Sequence, residues 1–331
     1  MSKANKDKTN YLFLDEIQGI PNFEECIEGL YDNDEYKFDI YITGSNSRMF
    51  SKELAALFTG RTVQLKVWPL SFKTLYNEFK ETNPEKFLKK YLVLGGLGLI
   101  VDSYNETKLT QESLKIVITD TIENDISVRR ELKNDESILK KVIHYCFEHV
   151  GRDINSLRLE NYFKSNEKTT ISYKTIINYL EWLTDAQIIY RIKYFDIKGL
   201  KTLLTNSMYY AGDLGLLSSV IGYDLKTSKG YRLENLVFLE LLSQDYELET
   251  GFDKNKNSVD FIARKDDEVI YIQVTDEMNE ENQDREYKPL IIAKNATRKI
   301  ILTNAMNVPK PNNGVKIVFL TEWLLGNTRL Y

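Results

Sequence analysis

The sequence holds only two cysteines, two histidines and six prolines in 331 residues, and the dipeptide Gly-Lys occurs nowhere in it. Cys26 and Cys146 lie far apart and fit no CxxC spacing, which argues against a disulfide framework and a thiolate zinc site. His144 and His149 stand five positions apart, off a common helical face, so a histidine metal site is not expected either. No apolar run approaches the about 18 residues of a membrane span. The first ten residues, MSKANKDKTN, lack the apolar core of a signal segment. These absences predict a cytoplasmic protein with reduced thiols and no membrane partner. Positive charge is not in excess: 44 Lys and Arg stand against 49 Asp and Glu, for a net charge of −5. The chain is therefore not a bulk polycation that holds nucleic acid by charge alone, although a local basic face is compatible with that balance.

What is present suits a globular protein with a real core. Hydrophobic residues make up 42% and charged residues 28%, ordinary values for such a chain. The length favours two or three domains of ~100–200 residues each. The organising stretch is residues 11–21, YLFLDEIQGIP. Four apolar residues run into Asp15 and Glu16, which reads as a strand buried on both faces with two carboxylates at its carboxyl end. Open α/β sheets place ligands there. It is the Walker B arrangement of nucleotide hydrolases, where the Asp holds hydrated Mg²⁺ and the Glu orients the attacking water. A solvated acidic turn is the plain alternative.

Residues 22–32 follow with helical spacing of Phe23, Cys26, Ile27 and Leu30. A second apolar run, residues 38–42, ends in Thr43-Gly44-Ser45-Asn46-Ser47. Ser45 and Asn46 suit a sensor position that meets a γ-phosphate or the attacking water. Ser45 or Ser47 equally suits an N-cap for a helix over 48–58. Arg61 precedes an alternating strand expected over 62–67 and fits either an arginine finger toward a neighbouring subunit or a surface ion pair.

LFLDEIQGIPNFEE, YITGSNSRMFSKELAALFTGR and VWPLSFKTLYNEF together resemble a family of bacterial and archaeal AAA-type ATPases. The carboxyl half of that family carries a winged helix and a PD-(D/E)xK nuclease-like fold. The resemblance implies Asp15 and Ser45 at ATP and Mg²⁺, with Glu16, Asn46 and Arg61 in catalysis. One departure stands out. The phosphate-cradling loop GxxxxGK[ST], expected upstream of the acidic strand, has no counterpart in the ten residues before Tyr11. Without it there is no nest of backbone N–H groups and no lysine for the phosphates. The chain thus resembles an N-terminally shortened member with half a nucleotide site.

Farther along, Gly95, Gly96 and Gly98 read as a turn of unusual φ or a close helix contact. Residues 108–131 read as an amphipathic helix with a charged face. Helices over 138–149, 155–163 and 173–184, then a strand over 188–195, suggest a winged helix-turn-helix. In that module Ser172, Tyr173, Lys174, Thr175 and Asn178 open the helix that would enter a DNA groove. Protein docking is the competing use of such a module.

The last third offers a helix over 232–242, strands over 258–263 and 269–274, a helix over 284–293, and strands over 298–303 and 315–320. The order resembles the PD-(D/E)xK core. That resemblance implies metal ligands at Glu234, Asp260 and Gln273, with Thr275 where a catalytic lysine is expected. Gln273 still offers a carbonyl oxygen to a hard cation. Thr275 supplies no charge, and Lys288 on the next helix is a candidate substitute. This predicts very weak or absent nuclease activity.

The expected architecture is α/β: a partial RecA/AAA-like parallel sheet over 1–80, a helical connector over 81–135, a winged-helix-like domain over 136–200 and a PD-(D/E)xK-like domain over 201–331. The leading function is an AAA-type ATPase-family protein, impaired in ATP handling, that acts with DNA, a protein partner or a second copy of itself. A catalytically silent DNA-binding module and a metal-dependent nuclease are the alternatives. A fluorescent ATP analogue titrated with Mg²⁺ into this polypeptide is expected to show no tight binding; saturable tight binding lost in Asp15→Ala overturns that.

Overall fold

A computed structural model describes residues 4–17, 20, 22–44, 60–128, 136–168, 170–253, 257–293, 295–305, 308 and 314–330. The chain divides into two compact units, Met1–Lys66 with Asp185–Gln187, and Val67–Thr184 with Ile188–Tyr331.

In the first unit, β1 (Asn10–Leu14) and β2 (Phe38–Ile42) pair in parallel, from Asn10↔Phe38 to Leu14↔Ile42. Parallel neighbours need a crossover, supplied here by α1 (Phe23–Tyr31). Leu14, Ile40 and Ile42 pack against Ile17, Phe23 and Ile27. The alternate side chains point away, leaving Tyr11 64% and Phe13 72% exposed. Burial of β1 on both faces is therefore corrected: strand side chains alternate, and α1 covers one face only among the described residues. Phe13 and Tyr41 stack on the open face with ring centroids 5.0 Å apart. Cys26, expected on the packed face of α1, is exposed. The strand expected over 62–67 is irregular, and Val63, Leu65 and Val67 are exposed. It has no partner strand among the described residues, so its alternation of side chains has no ladder to serve. The helix expected over 48–58 lies outside the described residues.

The second unit opens with α2 (Phe72–Glu78), α3 (Pro84–Leu94) and α4 (Thr107–Asp120), the last continuing as a π-helical segment over Thr121–Val128. Asn83 caps α3 by accepting from Lys86 N at 2.9 Å, with Pro84 in the first turn where its missing N–H costs nothing. Next come α5 (Glu136–Glu148), β3 (Asp153–Ile154), α6 (Ser156–Asn166) and α7 (Tyr173–Asp185). Then follow β4 (Ile189–Asp196), β5 (Lys201–Ala211), α8 (Leu214–Ile221) and α9 (Lys229–Ser243). The unit ends with β6 (Glu247–Phe252), β7 (Ser258–Lys265), β8 (Glu268–Thr275), α10 (Gln283–Ile292), β9 (Arg298–Thr303), β10 (Val315–Phe319) and α11 (Leu320–Leu324).

Its strands join one sheet in the order β10-β9-β8-β7-β6-β4-β5-β3. Neighbours from β6 to β8 run antiparallel, whereas β8-β9, β9-β10 and β4-β6 run parallel. The hairpin β4-β5 thus shares a sheet with β6 to β10. Strand β6 was not foreseen from sequence, because its charged positions and Gly251 hide a strand pattern. On β7, Phe261 packs near Phe238 of α9, while its neighbour Ile262 joins Tyr287 and Leu290 of α10. Successive side chains therefore meet different helices, as the pleat requires.

Polar pins fix α9. Arg232 is fully buried, and its guanidinium donates to Leu92 O at 3.0 Å, Gly222 O at 2.7 Å, and the hydroxyls of Ser218 at 2.5 Å and Ser228 at 2.9 Å. Asn235 accepts from Ala211 N at 2.7 Å and donates to Ala211 O at 3.0 Å, closing the end of β5. The glycine turn is equally constrained. Gly95 has φ of 71°, and a Cβ there would lie 2.3 Å from Asp213 Oδ1; one at Gly96 would lie 2.1 Å from Leu70 O. Both sequence readings of these glycines hold, since unusual φ and close approach occur together.

Asn235→Ala leaves the buried N–H and C=O of Ala211 without partners. The expected loss is about 2–4 kcal/mol, read as a lower urea midpoint at unchanged slope; a loss under about 1 kcal/mol contradicts the pinning role.

Candidate functional site

At the carboxyl ends of the parallel pair, Asp15 and Glu16 stand beside Thr43. The Thr43 hydroxyl donates to Asp15 Oδ1 and accepts from Glu16 N at 3.2 Å. Glu16 has φ of 50°, left-handed for a residue with a side chain. The local turn therefore directs two exposed acids to the sheet rim, and Thr43 was the neighbour that sequence reading passed over. Ser45 and Asn46 lie outside the described residues. Arg61 pairs with Asp32 at 3.3 Å and its guanidinium lies 5.2 Å from the Tyr31 ring centre, so in this chain it makes the surface ion pair.

The second unit brings Glu234, Asp260 and Gln273 to one cleft of about 810 Å³. The β7-β8 ladder runs from Lys265↔Glu268 only as far as Phe261↔Ile272. Asp260 and Gln273 stand just beyond that end, where the strands part. There a carboxylate replaces the ladder: Asp260 Oδ2 accepts from Val274 N at 2.8 Å, and Oδ1 accepts from Gln273 Nε2 at 3.3 Å. Gln273 Oε1 is buried with no hydrogen-bond partner. Glu234 arrives from α9, one position before the pinning Asn235, and accepts from the Tyr210 hydroxyl. Gly151 allows the approach, since a Cβ there would lie 2.7 Å from Glu234 Oε1.

Both acids are half-buried, and the cost of charge without water raises their pKa values. Burial pushes Glu234 up to about 7, opposed by the Tyr210 hydroxyl. Burial raises Asp260 well above the usual carboxylate range; the Glu234 charge and then Glu286 add to this, while Val274 N–H and Arg285 oppose it. Thr275 lines the cleft but spends its hydroxyl on Glu277 O at 2.7 Å. Positive charge comes instead from Lys288 and Arg285, both on α10 and both on the cleft wall.

These oxygens suit a hard divalent cation. Among the described residues no three His, Cys, Asp or Glu side chains already stand grouped to hold a metal ion, so the converging set is two carboxylates and an amide. Sequence reading missed Tyr210, Gly151 and Glu286. Glu286 left a trace: an acid four positions before Leu290 sits on the apolar stripe of its helix.

The residues proposed for DNA contact open α7. Ser172, Tyr173, Lys174 and Asn178 are exposed and Thr175 is half-buried. The Ser172 hydroxyl is engaged as a cap, accepting from Thr175 N at 3.2 Å. Among the described residues no helix is long and apolar enough to cross a membrane.

The first unit is α/β with a parallel strand pair, and sequence comparison supports an AAA-like family for it. Residues 1–76 match the model of an AAA domain, and residues 85–227 match a domain of unknown function, DUF8612. The chain is 34% identical over 321 residues to an uncharacterised protein of Haemophilus influenzae, covering 95% of this chain and 77% of that protein. It is 30% identical over 302 residues to an uncharacterised protein of Methanocaldococcus jannaschii, covering 85% of this chain and 64% of that protein. The chain belongs to the family of the Haemophilus influenzae protein, and its amino end resembles an AAA domain. A solved structure, the Walker-type ATPase of Pyrococcus abyssi, is similar at a TM-score of 0.42 and 16% identity, over 63% of this chain and 62% of that one. Glu234, Asp260 and Gln273 fall beyond both matched domains.

The raised pKa of Glu234 has a sign that can be measured. Its value of about 7 lies above the ordinary 4.5, so the folded state holds the proton more tightly than the unfolded chain. The stability this contributes is present below about pH 4.5 and is lost as pH rises through about 7. Glu234→Gln, always neutral, is expected to gain on the native protein between pH 5 and pH 8, by at most about 3 kcal/mol. Urea midpoints at the two pH values check this, and an equal difference at both contradicts it.

Proposed function

We propose that this AAA-family protein acts on DNA through a divalent cation held by Glu234, Asp260 and Gln273. The carrying observation is Gln273 Oε1, buried and without a hydrogen-bond donor beside two carboxylates in one cleft. An acceptor in that position is costly unless a cation or ordered water meets it. The order of α9, β6, β7, β8, α10 and β9 supports the PD-(D/E)xK resemblance. A bound Mg²⁺ would supply Lewis acidity toward a phosphodiester. The protein's own part is then defined. Asp260 is held by Val274 N–H, and Tyr210 fixes Glu234 by donating to Oε1. Glu234, with a pKa of about 7, can exchange a proton near neutral pH in the cation-free site. Lys288 and Arg285 offer the positive charge that Thr275 does not. Without a lysine fixed on β8, cutting is slow.

The exposed start of α7 supports DNA docking by Tyr173, Lys174 and Asn178, with Ser172 and Thr175 shaping the turn. The succession α5-β3-α6-α7-β4-β5, with β3 and β4 both antiparallel to β5, supports a winged-helix reading. A second reading concerns nucleotide. Thr43 on Asp15 supports a Mg²⁺-nucleotide half-site of the AAA kind. The residues present do not fit a whole triphosphate, because no GxxxxGK[ST] occurs among them. ATP hydrolysis in this reading requires that loop from another source. Action of Arg61 on a second copy's nucleotide requires it to leave Asp32 and Tyr31, a surface contact worth about 1 kcal/mol or less.

Supercoiled plasmid incubated with micromolar protein and Mn²⁺ or Mg²⁺ is expected to be nicked over hours, and Asp260→Ala to abolish nicking. Intact plasmid with both metals, or nicking that survives Asp260→Ala, overturns the assignment.

A further inference from the structure

The same cleft holds a further buried acid that no sequence motif marks. Glu286, on α10, has a side chain only 1% exposed. Its Oε1 accepts from Arg285 Nε at 3.0 Å and Nη2 at 2.8 Å. Its Oε2 is buried and has no hydrogen-bond partner. Gln273, 8% exposed, shows the same condition at Oε1 and lines the same cleft. An amide oxygen and a carboxylate oxygen are both acceptors, so neither can satisfy the other. Two buried acceptors in the cleft that Asp260 lines call for a shared donor or a cation, because a buried acceptor left unmet is costly. The distribution of charge points the same way. The position on β8 carries a neutral amide, while the adjoining helix carries a negative charge that its arginine meets from outside only: the Arg285 side chain is 81% exposed.

We propose that Glu286 is the third carboxylate of the cation site, presented from α10 in place of an acid at Gln273. This rests on the cation reading of Glu234 and Asp260 given above. It deepens that reading by giving the site three negative charges and by assigning Arg285 as the group that holds Glu286 in the unloaded site. Since no three acids are already grouped for a metal among the described residues, loading requires the Glu286 carboxylate to leave Arg285 and move toward Glu234 and Asp260. The exposed Arg285 is rehydrated on release, and the cation takes its place beside the buried carboxylate.

Calorimetric titration of Mn²⁺ into the full chain at pH 7.5 tests the assignment. The native protein is expected to bind saturably, Glu286→Gln to lose at least tenfold in affinity, and Glu286→Asp to lose less than Glu286→Gln. Arg285→Ala is expected to bind at least as tightly as the native protein, and the exposed Glu112→Gln to be unchanged. Each variant's urea midpoint separates lost binding from lost folding. A folded Glu286→Gln that binds Mn²⁺ as tightly as the native protein, while Asp260→Asn loses it, overturns the role of Glu286 and leaves the two-acid site standing. A native protein that takes up no Mn²⁺ at millimolar concentration overturns both.

Discussion

Burial of Arg232 is the constraint on which the second unit depends. A guanidinium removed from water must find an acceptor for nearly every N–H, and here carbonyls and hydroxyls from α3, the end of α8 and the approach to α9 supply them. Desolvation lowers its pKa, but a guanidinium starts so high that it stays charged. The backbone groups it requires can converge only if those helices meet in one arrangement. Asn235, one turn farther along α9, ties the same helix to the last residue of β5. Between the two pins lies Glu234, whose place is therefore decided by its neighbours' hydrogen bonds.

From that placement follows the electrostatics of the cleft. A pinned helix delivers one carboxylate, and a parted strand pair delivers another. Asp260 substitutes for the missing strand bond by accepting from Val274 N–H. Both acids sit where water is scarce, and the Glu234 charge adds to the cost of charging Asp260. Such a site favours protonated carboxyls over charged ones. The first unit shows the weaker version of the same idea: Asp15 and Glu16 share Thr43 at an exposed sheet rim, where solvent screens them.

Much of the architecture was legible in the residues. The strand Phe38–Ile42, half-buried on alternate residues, and the more deeply buried strand Arg298–Thr303 both fall where their apolar runs place them. Ser172 marked a helix start for an equally local reason, its hydroxyl accepting from Thr175 N; Asn155, read as a first helical residue, is the cap of α6. The reading failed where structure depends on distant partners. Residues 62–67 alternate as a strand should, yet lack a ladder among the described residues. β6 alternates poorly and is a strand nonetheless, because β4 and β7 flank it. β1 was read as buried on both faces from its composition, but burial is conferred by what lies across the sheet.

The candidate site divides in the same way. Sequence alone set the oxygen-rich chemistry of Glu234, Asp260 and Gln273, and set the absence of a lysine at Thr275, since side-chain identity fixes which atoms are available. It also set the AAA character of the amino end, carried by the wording around Asp15 and Glu16. Only the tertiary structure brought Tyr210 and Glu286 to the cleft those side chains line and placed Lys288 on its wall. Contact between residues separated by tens of positions is decided by which helix face the core claims, and no local pattern encodes that.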